Sequence, residues 1–148
     1  MKEENINKFF VYGTLRPDIQ APWSDIVHKN DQFTIKAYKA YVSYAILQLF
    51  KAFDYPNVTI DTTRLSKNDI VYGYILETND LNKTLTILDQ IEGYPTEYDR
   101  IIVKCYNTDK KKYENAYIYT IRDENPIMET AYKCEYNDMK KYLDSKKI

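Results

Sequence analysis

One segment of this chain repeats its apolar residues at helical spacing: Leu81, Leu85, Leu88 and Ile91, in the run from Leu81 to Glu92. That spacing predicts an amphipathic helix. Asn79-Asp80 supplies a cap before it, Gly93 stands where a C′ glycine belongs, and Pro95 follows. The other apolar runs are short and rich in aromatic and β-branched residues. They are Lys8 to Leu15, breaking at Gly13; Phe33 to Phe50, as one bent strand or two; Val58 to Thr62; Asp69 to Glu77; Tyr98 to Tyr106; and Tyr113 to Ile121. Tyr55-Pro56-Asn57 and the stretch from Asp109 to Lys112 read as turns, and Arg16 to Asp31 as a loop with a short helix. Asn125-Pro126 predicts the start of a C-terminal helix, with Asn as cap and Pro at the first helical position. About six strands around one strong middle helix do not give the βαβ rhythm of a doubly wound sheet. The pattern predicts an α+β fold: a small mixed β-barrel of about six strands with flanking helices, formed by residues 1–148 as one domain.

Charge and rare residues narrow the function. Twenty-one basic residues meet 22 acidic ones for a net charge of −1, which argues against nucleic acid as a partner. Lys110-Lys111-Lys112 and Lys140-Lys141 are short runs of the kind that solvate a surface. No apolar run approaches the roughly 18 residues of a spanning helix. Met1 to Lys8 is polar with no signal-peptide core, so no membrane partner and a cytoplasmic location are expected. A single histidine, His28, excludes a His-based zinc site. Cys105 and Cys134 stand far apart and have no metal spacing; they read as two buried thiols. No cofactor or metal is expected. Sixteen tyrosines fit a bias toward AT-rich codons better than a stacking platform, whereas a chain with only three glycines keeps them where the backbone needs them.

Glu92 is out of place. On a wheel of about 100° per residue with Leu81 at zero, Leu85 lies near 40°, Leu88 near −20° and Glu92 near 20°. Glu92 is thus centred on the apolar stripe, while Asp89, near 80°, lies on its flank within reach of water. A carboxylate on a buried face, in the last turn of a helix, is pressed toward its neutral form by desolvation and by the helix dipole. That moves its pKa toward the range useful for proton transfer. Two other readings remain: the helix ends early and Glu92 swings into solvent, or Glu92 pairs with Arg100 or Lys104. The turn Tyr12-Gly13-Thr14-Leu15 is the second candidate. A strand ending in a glycine turn leaves backbone N–H groups without ladder partners, and such amides can hold a carboxylate or an oxyanion. An ordinary tight turn is the alternative.

These pieces fall together. Phe10-Val11-Tyr12-Gly13-Thr14-Leu15 resembles the opening motif of the gamma-glutamylcyclotransferase-like family, and Tyr55-Pro56-Asn57-Val58 its Tyr-Pro turn. Val71-Tyr72-Gly73-Tyr74-Ile75-Leu76 is similar to the central strand. The pattern Leu88-Asp89-x-x-Glu92-Gly93-Tyr94-x-x-x-Tyr98-x-Arg100 is similar to the helix-and-strand signature. The resemblance runs from about Phe9 to Thr120 and is nearest to the gamma-glutamylamine branch. Arg16-Pro17-Asp18 departs from the glycine and asparagine the family often carries there.

The resemblance implies a pocket at one barrel mouth and a reaction without cofactor: the free α-amine of a gamma-glutamyl group attacks its own γ-carbonyl. The products are 5-oxoproline and a free amine. It implies Glu92 as the proton-transferring group, Tyr12, Gly13, Thr14 and Leu15 as substrate-binding, and Tyr98 flanking the pocket. The expected partner is a small-molecule substrate or an anionic metabolite. The alternative function is a non-catalytic protein of the same fold that sequesters a small metabolite.

Overall fold

The computed structural model describes residues 6–19, 21–51, 53–122 and 124–146. Five strands close a barrel in the order β1-β5-β2-β6-β7: β1 (Lys8–Val11), β5 (Ile70–Thr78), β2 (Ile35–Ser43), β6 (Tyr98–Asn107) and β7 (Lys112–Ile121). Every pairing is antiparallel except β1 with β7, which meet in parallel at Phe9 and Tyr117 and shut the barrel. A second sheet, ordered β4-β3-β8, holds β3 (Ala45–Phe50), β4 (Phe53–Ile60) and β8 (Ala131–Lys133). The helices are α1 (Pro22–His28), α2 (Leu81–Glu92) and α3 (Met139–Ser145).

The alternation of β1 explains the two cores. Phe10 points into the barrel with Val42, Val71, Ile75, Cys105 and Ile118. Phe9 and Val11 point out, beneath α1 and α2, against Val27, Leu76 and Leu88. β1 also presses hard on β5. A Cβ added at Gly73 would lie 2.2 Å from the Val11 carbonyl oxygen, so only glycine allows the approach.

The α2 boundaries follow the sequence reading. The Asp80 side chain accepts from the Lys83 N–H, and Gly93, at φ 69°, ends the helix in the left-handed region. The long run from Phe33 onward is two strands, divided at Tyr44 (φ 56°), where the chain leaves the barrel for the second sheet.

Three expectations need correction. Among the described residues the strands number eight against the six or so expected, because β3, β4 and β8 form a sheet of their own beside the barrel. Tyr55-Pro56-Asn57 is not a turn but part of β4. β4 is a sheet edge, where the N–H that proline lacks is not needed. The C-terminal helix expected at Asn125-Pro126 is a single 3₁₀ turn, Pro126–Thr130. Asn125 does cap it, accepting from the Ile127 N–H at 3.0 Å, but pairing of Ala131–Lys133 with β3 then takes the chain over, and α3 starts only at Met139.

Candidate functional site

The turn after β1 is held from behind. The Tyr12 hydroxyl donates to the Tyr119 carbonyl at 2.6 Å, fixing the entry. Arg16 N–H closes the turn onto the Gly13 carbonyl at 3.0 Å. His28 Nε2 donates to the Leu15 carbonyl at 2.9 Å, and Ser24 Oγ to the Arg16 carbonyl at 3.1 Å. The only histidine thus has a structural task. The buried Arg16 guanidinium joins Asp18 at 2.6 Å to Asp138 at 2.9 Å, tying the loop to the cap of α3. The carbonyls of Gly13, Leu15 and Arg16 are therefore engaged. Among the described residues, none accepts from the N–H groups of Gly13, Thr14 or Leu15. Gly13 is required because a Cβ there would lie 2.5 Å from Pro56 Cγ.

Across from the turn, α2 delivers Glu92. Leu88 on the same stripe is fully buried, and Leu81, Leu85 and Ile91 pack against the outer core. No hydrogen bond or ion pair reaches the Glu92 carboxylate among the described residues, so it pairs with neither Arg100 nor Lys104. Its residual exposure comes where it faces a cavity. The surrounding protein strips away most of its hydration, and that desolvation raises its pKa from 4.5 to about 7.

Arg100 belongs to Asp89 instead. Its Nη1 reaches both Asp89 oxygens, at 2.7 and 2.6 Å, and its guanidinium lies 4.4 Å from the Tyr94 ring centroid. The Tyr119 hydroxyl donates to the same carboxylate at 2.5 Å. Asp89 is therefore not the water-facing group that the wheel suggested: it is three-quarters covered and bolts α2 to β6 and β7.

One cavity of about 700 Å³ brings these parts together. Tyr12, Gly13, Thr14 and Leu15 form one wall; Glu92 and Tyr98 form another. Nearly eighty residues of chain separate the turn from Glu92. Other lining residues were not assigned to the site from the sequence, among them Pro56, Tyr119, Ile121, Asn125 and Ile127, with Gln90, Gly93 and Glu97 beside Glu92. Pro56 and Gly13 were both within family-like motifs, and their contact is the one signal that pointed here. Tyr119 had none, since only the strand register sets it opposite Arg100. A smaller hollow of about 340 Å³ is lined in part by Lys8, Lys104, Lys112 and Glu114, of which Lys112 pairs with Glu114 at 3.5 Å.

The other reactive residues lie elsewhere. Cys105 and Cys134 are both buried and unpaired, and burial pushes the Cys105 thiol up to about 12, away from nucleophilic use. No group of three or more metal-ligating side chains occurs among the described residues. Among the described residues, no helix is long and apolar enough to cross a membrane.

Comparisons with known proteins agree with this architecture. A crystal structure of an AIG2-like protein from Mus musculus superposes with a TM-score of 0.66 at 18% identity, covering 91% of this chain and 88% of that one. A solution structure of a protein from Arabidopsis thaliana gives 0.63 at 19% identity, over 98% and 77% of the two chains. A structure named gamma-glutamyl cyclotransferase gives 0.58 at 17% identity, over 86% and 71%. These likenesses establish the fold. No curated protein sequence matches the chain. The model of the family described as "Gamma-glutamyl cyclotransferase, AIG2-like" matches residues 9–138. That match covers most of the chain and both walls of the cavity, and the chain belongs to this family.

Proposed function

We propose that this protein is a cyclotransferase that converts a gamma-glutamyl amine or amide to 5-oxoproline and a free amine. The observation that carries the reading is a carboxylate of raised pKa, Glu92, sharing one cavity with a turn of free amides, neither having a hydrogen-bond partner among the described residues.

The chemistry needs few parts. The substrate's α-carboxylate takes hydrogen bonds from the amides of Gly13, Thr14 and Leu15. Glu92 removes a proton from the α-ammonium. The freed amine attacks the γ-carbonyl carbon, so a ring C–N bond forms and the bond to the departing nitrogen breaks. Glu92 returns its proton to that nitrogen, and the second proton, shed by the attacking nitrogen as the ring closes, follows it, so the group leaves as an ammonium. A carboxyl with a pKa of about 7 is suited to both transfers at neutral pH. Nucleophile and electrophile belong to one molecule, so holding it bent supplies much of the rate. Tyr98 flanks the reacting group, and the hydroxyl of Tyr12 stays engaged with Tyr119 while its backbone begins the binding turn.

The test is a panel of gamma-glutamyl amines, amides and amino acids incubated with the purified protein, with 5-oxoproline measured by mass spectrometry. Release of 5-oxoproline with equimolar amine from any member supports the reading. Tight binding with no 5-oxoproline from any member overturns it and favours the sequestering function.

A further inference from the structure

We propose that the outer face of the barrel, where β5, β2, β6 and β7 lie side by side, binds single-stranded nucleic acid: a row of four tyrosines stacks on the bases, and lysines bordering the row meet the phosphates. This surface is independent of the cyclotransferase reading, since none of these residues lines the cavity.

Strand register builds the row. Tyr72 of β5 stands opposite Tyr41 of β2, Tyr41 opposite Tyr106 of β6, and Tyr106 opposite Tyr113 of β7. Val71, Ala40, Val42 and Cys105, their neighbours in the chain, are buried in the barrel core, so alternation turns the tyrosines outward. The ring centroids follow one another at 6.0, 5.3 and 5.1 Å, and the planes meet at 70°, 34° and 69°. No two rings lie face to face, so the cluster does not use up its own stacking surface. The row crosses four strands, a span of about 15 Å; four-stranded sheets with outward aromatics hold two or three bases in this way. Its ends are open, with Tyr72 38% and Tyr113 61% exposed.

Charge identifies the occupant. Lys39 and Lys104 stand on the same face, two residues from Tyr41 and Tyr106, and Lys111 lies in the β6–β7 turn two residues from Tyr113. All three are exposed, and none forms an ion pair among the described residues. The other strand positions bordering the row, Ile70, Ser43, Tyr74 and Asn115, hold no carboxylate. Asp109, in the same turn as Lys111, accepts from the Lys39 N–H at 2.8 Å. The net charge of −1 is an average over the chain, and this face is locally cationic. A single strand offers flat bases and a phosphate at every step, which matches rings bordered by lysines. A duplex hides its base faces, an acidic peptide has the charge without the faces, and a membrane surface takes a broad aliphatic face rather than a row of phenols.

The experiment measures fluorescence anisotropy of short labelled single strands of RNA and DNA, of mixed sequence, with the full chain over a range of salt. Duplex of the same sequence, polyglutamate and vesicles of phosphatidylserine with phosphatidylcholine serve as rival ligands. Single strands are expected to bind at least about fivefold more tightly than duplex or polyglutamate, with a log–log salt slope near −2 for three phosphate contacts. Tyr72→Ala and Tyr113→Ala each weaken binding about fivefold or more. Lys39→Gln combined with Lys104→Gln flattens the slope by about 1.4. Tyr132→Ala, which removes an exposed tyrosine of β8 outside the row, leaves binding unchanged. A readout that needs no variant is the NMR shift of the ring protons of the four tyrosines when a single strand is added. Absence of single-strand binding at low salt overturns the proposal. So does equal binding of duplex or polyglutamate, binding of the vesicles in place of the oligonucleotides, or single-strand binding that leaves the four rings unmoved and ignores both tyrosine variants.

Discussion

Replacing Glu92 by glutamine removes a charge that the fold holds against its preference, and the effect depends on pH in a calculable way. Burial raises the carboxyl from 4.5 to about 7. At about 1.4 kcal/mol per tenfold change in proton affinity, the ionised form is disfavoured by at most about 3 kcal/mol in the folded state. Partial exposure to the cavity lowers the expected value to about 1–3 kcal/mol. In the unfolded chain Glu92 titrates near 4.5, and below that pH both states hold the proton. Between 4.5 and about 7 the folded protein keeps a proton that the unfolded chain has lost, so wild-type stability falls as pH rises through this window and levels off above it. Glu92→Gln lacks this titration. Its stability relative to wild type should therefore climb by about 1–3 kcal/mol from about pH 4 to about pH 8.5. Urea unfolding of both proteins in matched buffers measures the difference, in which all other titrations cancel. A flat difference curve, or one falling with pH, would refute the argument that Glu92 is a desolvated carboxylate without a partner.

Activity of the wild type should rise with pH through an apparent pKa near 7 as Glu92 becomes the base form; a kcat/KM profile with no inflection in that region would count against the assignment. Asp89→Asn should cost about 1–3 kcal/mol in thermal or urea unfolding, since it disturbs the bonds to Arg100 and Tyr119, but less than tenfold in turnover. A large loss of rate at unchanged stability would move the chemistry from Glu92 to Asp89. Gly13→Ala forces a methyl against Pro56, so it should destabilise by about 1–3 kcal/mol and weaken acetate binding at the turn amides, read by NMR titration. Wild-type stability together with unchanged acetate shifts would contradict the close packing behind the turn.

Local chemistry carried much of this site into the sequence. Asp80 and Gly93 each mark an end of α2 by a backbone requirement, so the wheel that puts Glu92 on the apolar stripe rested on sound boundaries. Gly13 and Gly73 are present because neighbouring atoms leave no room for a Cβ, and a glycine-poor chain made both conspicuous. What the sequence did not reveal was set by partners distant along the chain. Tyr119 meets Asp89 only because β6 and β7 pair in one particular register. The segment after Pro126 has a sound helix start, yet Ala131–Lys133 pairs with β3 instead. Asn57 looked like part of a turn, and its buried side chain in fact accepts from the Ile121 N–H at 2.9 Å, joining β4 to the barrel. Arg16, a departure from the family pattern, is explained only once Asp138 arrives from the far end of the chain.

The central claim is that Glu92 moves the proton that permits ring closure. The most direct measurement is 5-oxoproline release from a gamma-glutamyl amine by wild type and by Glu92→Gln, with binding of the same compound measured calorimetrically on both. The account predicts a fall in turnover of about 10²-fold or more, with affinity within a few-fold of wild type and no loss of stability. Glu92→Gln that retains most of the wild-type rate on a substrate the wild type converts would contradict it.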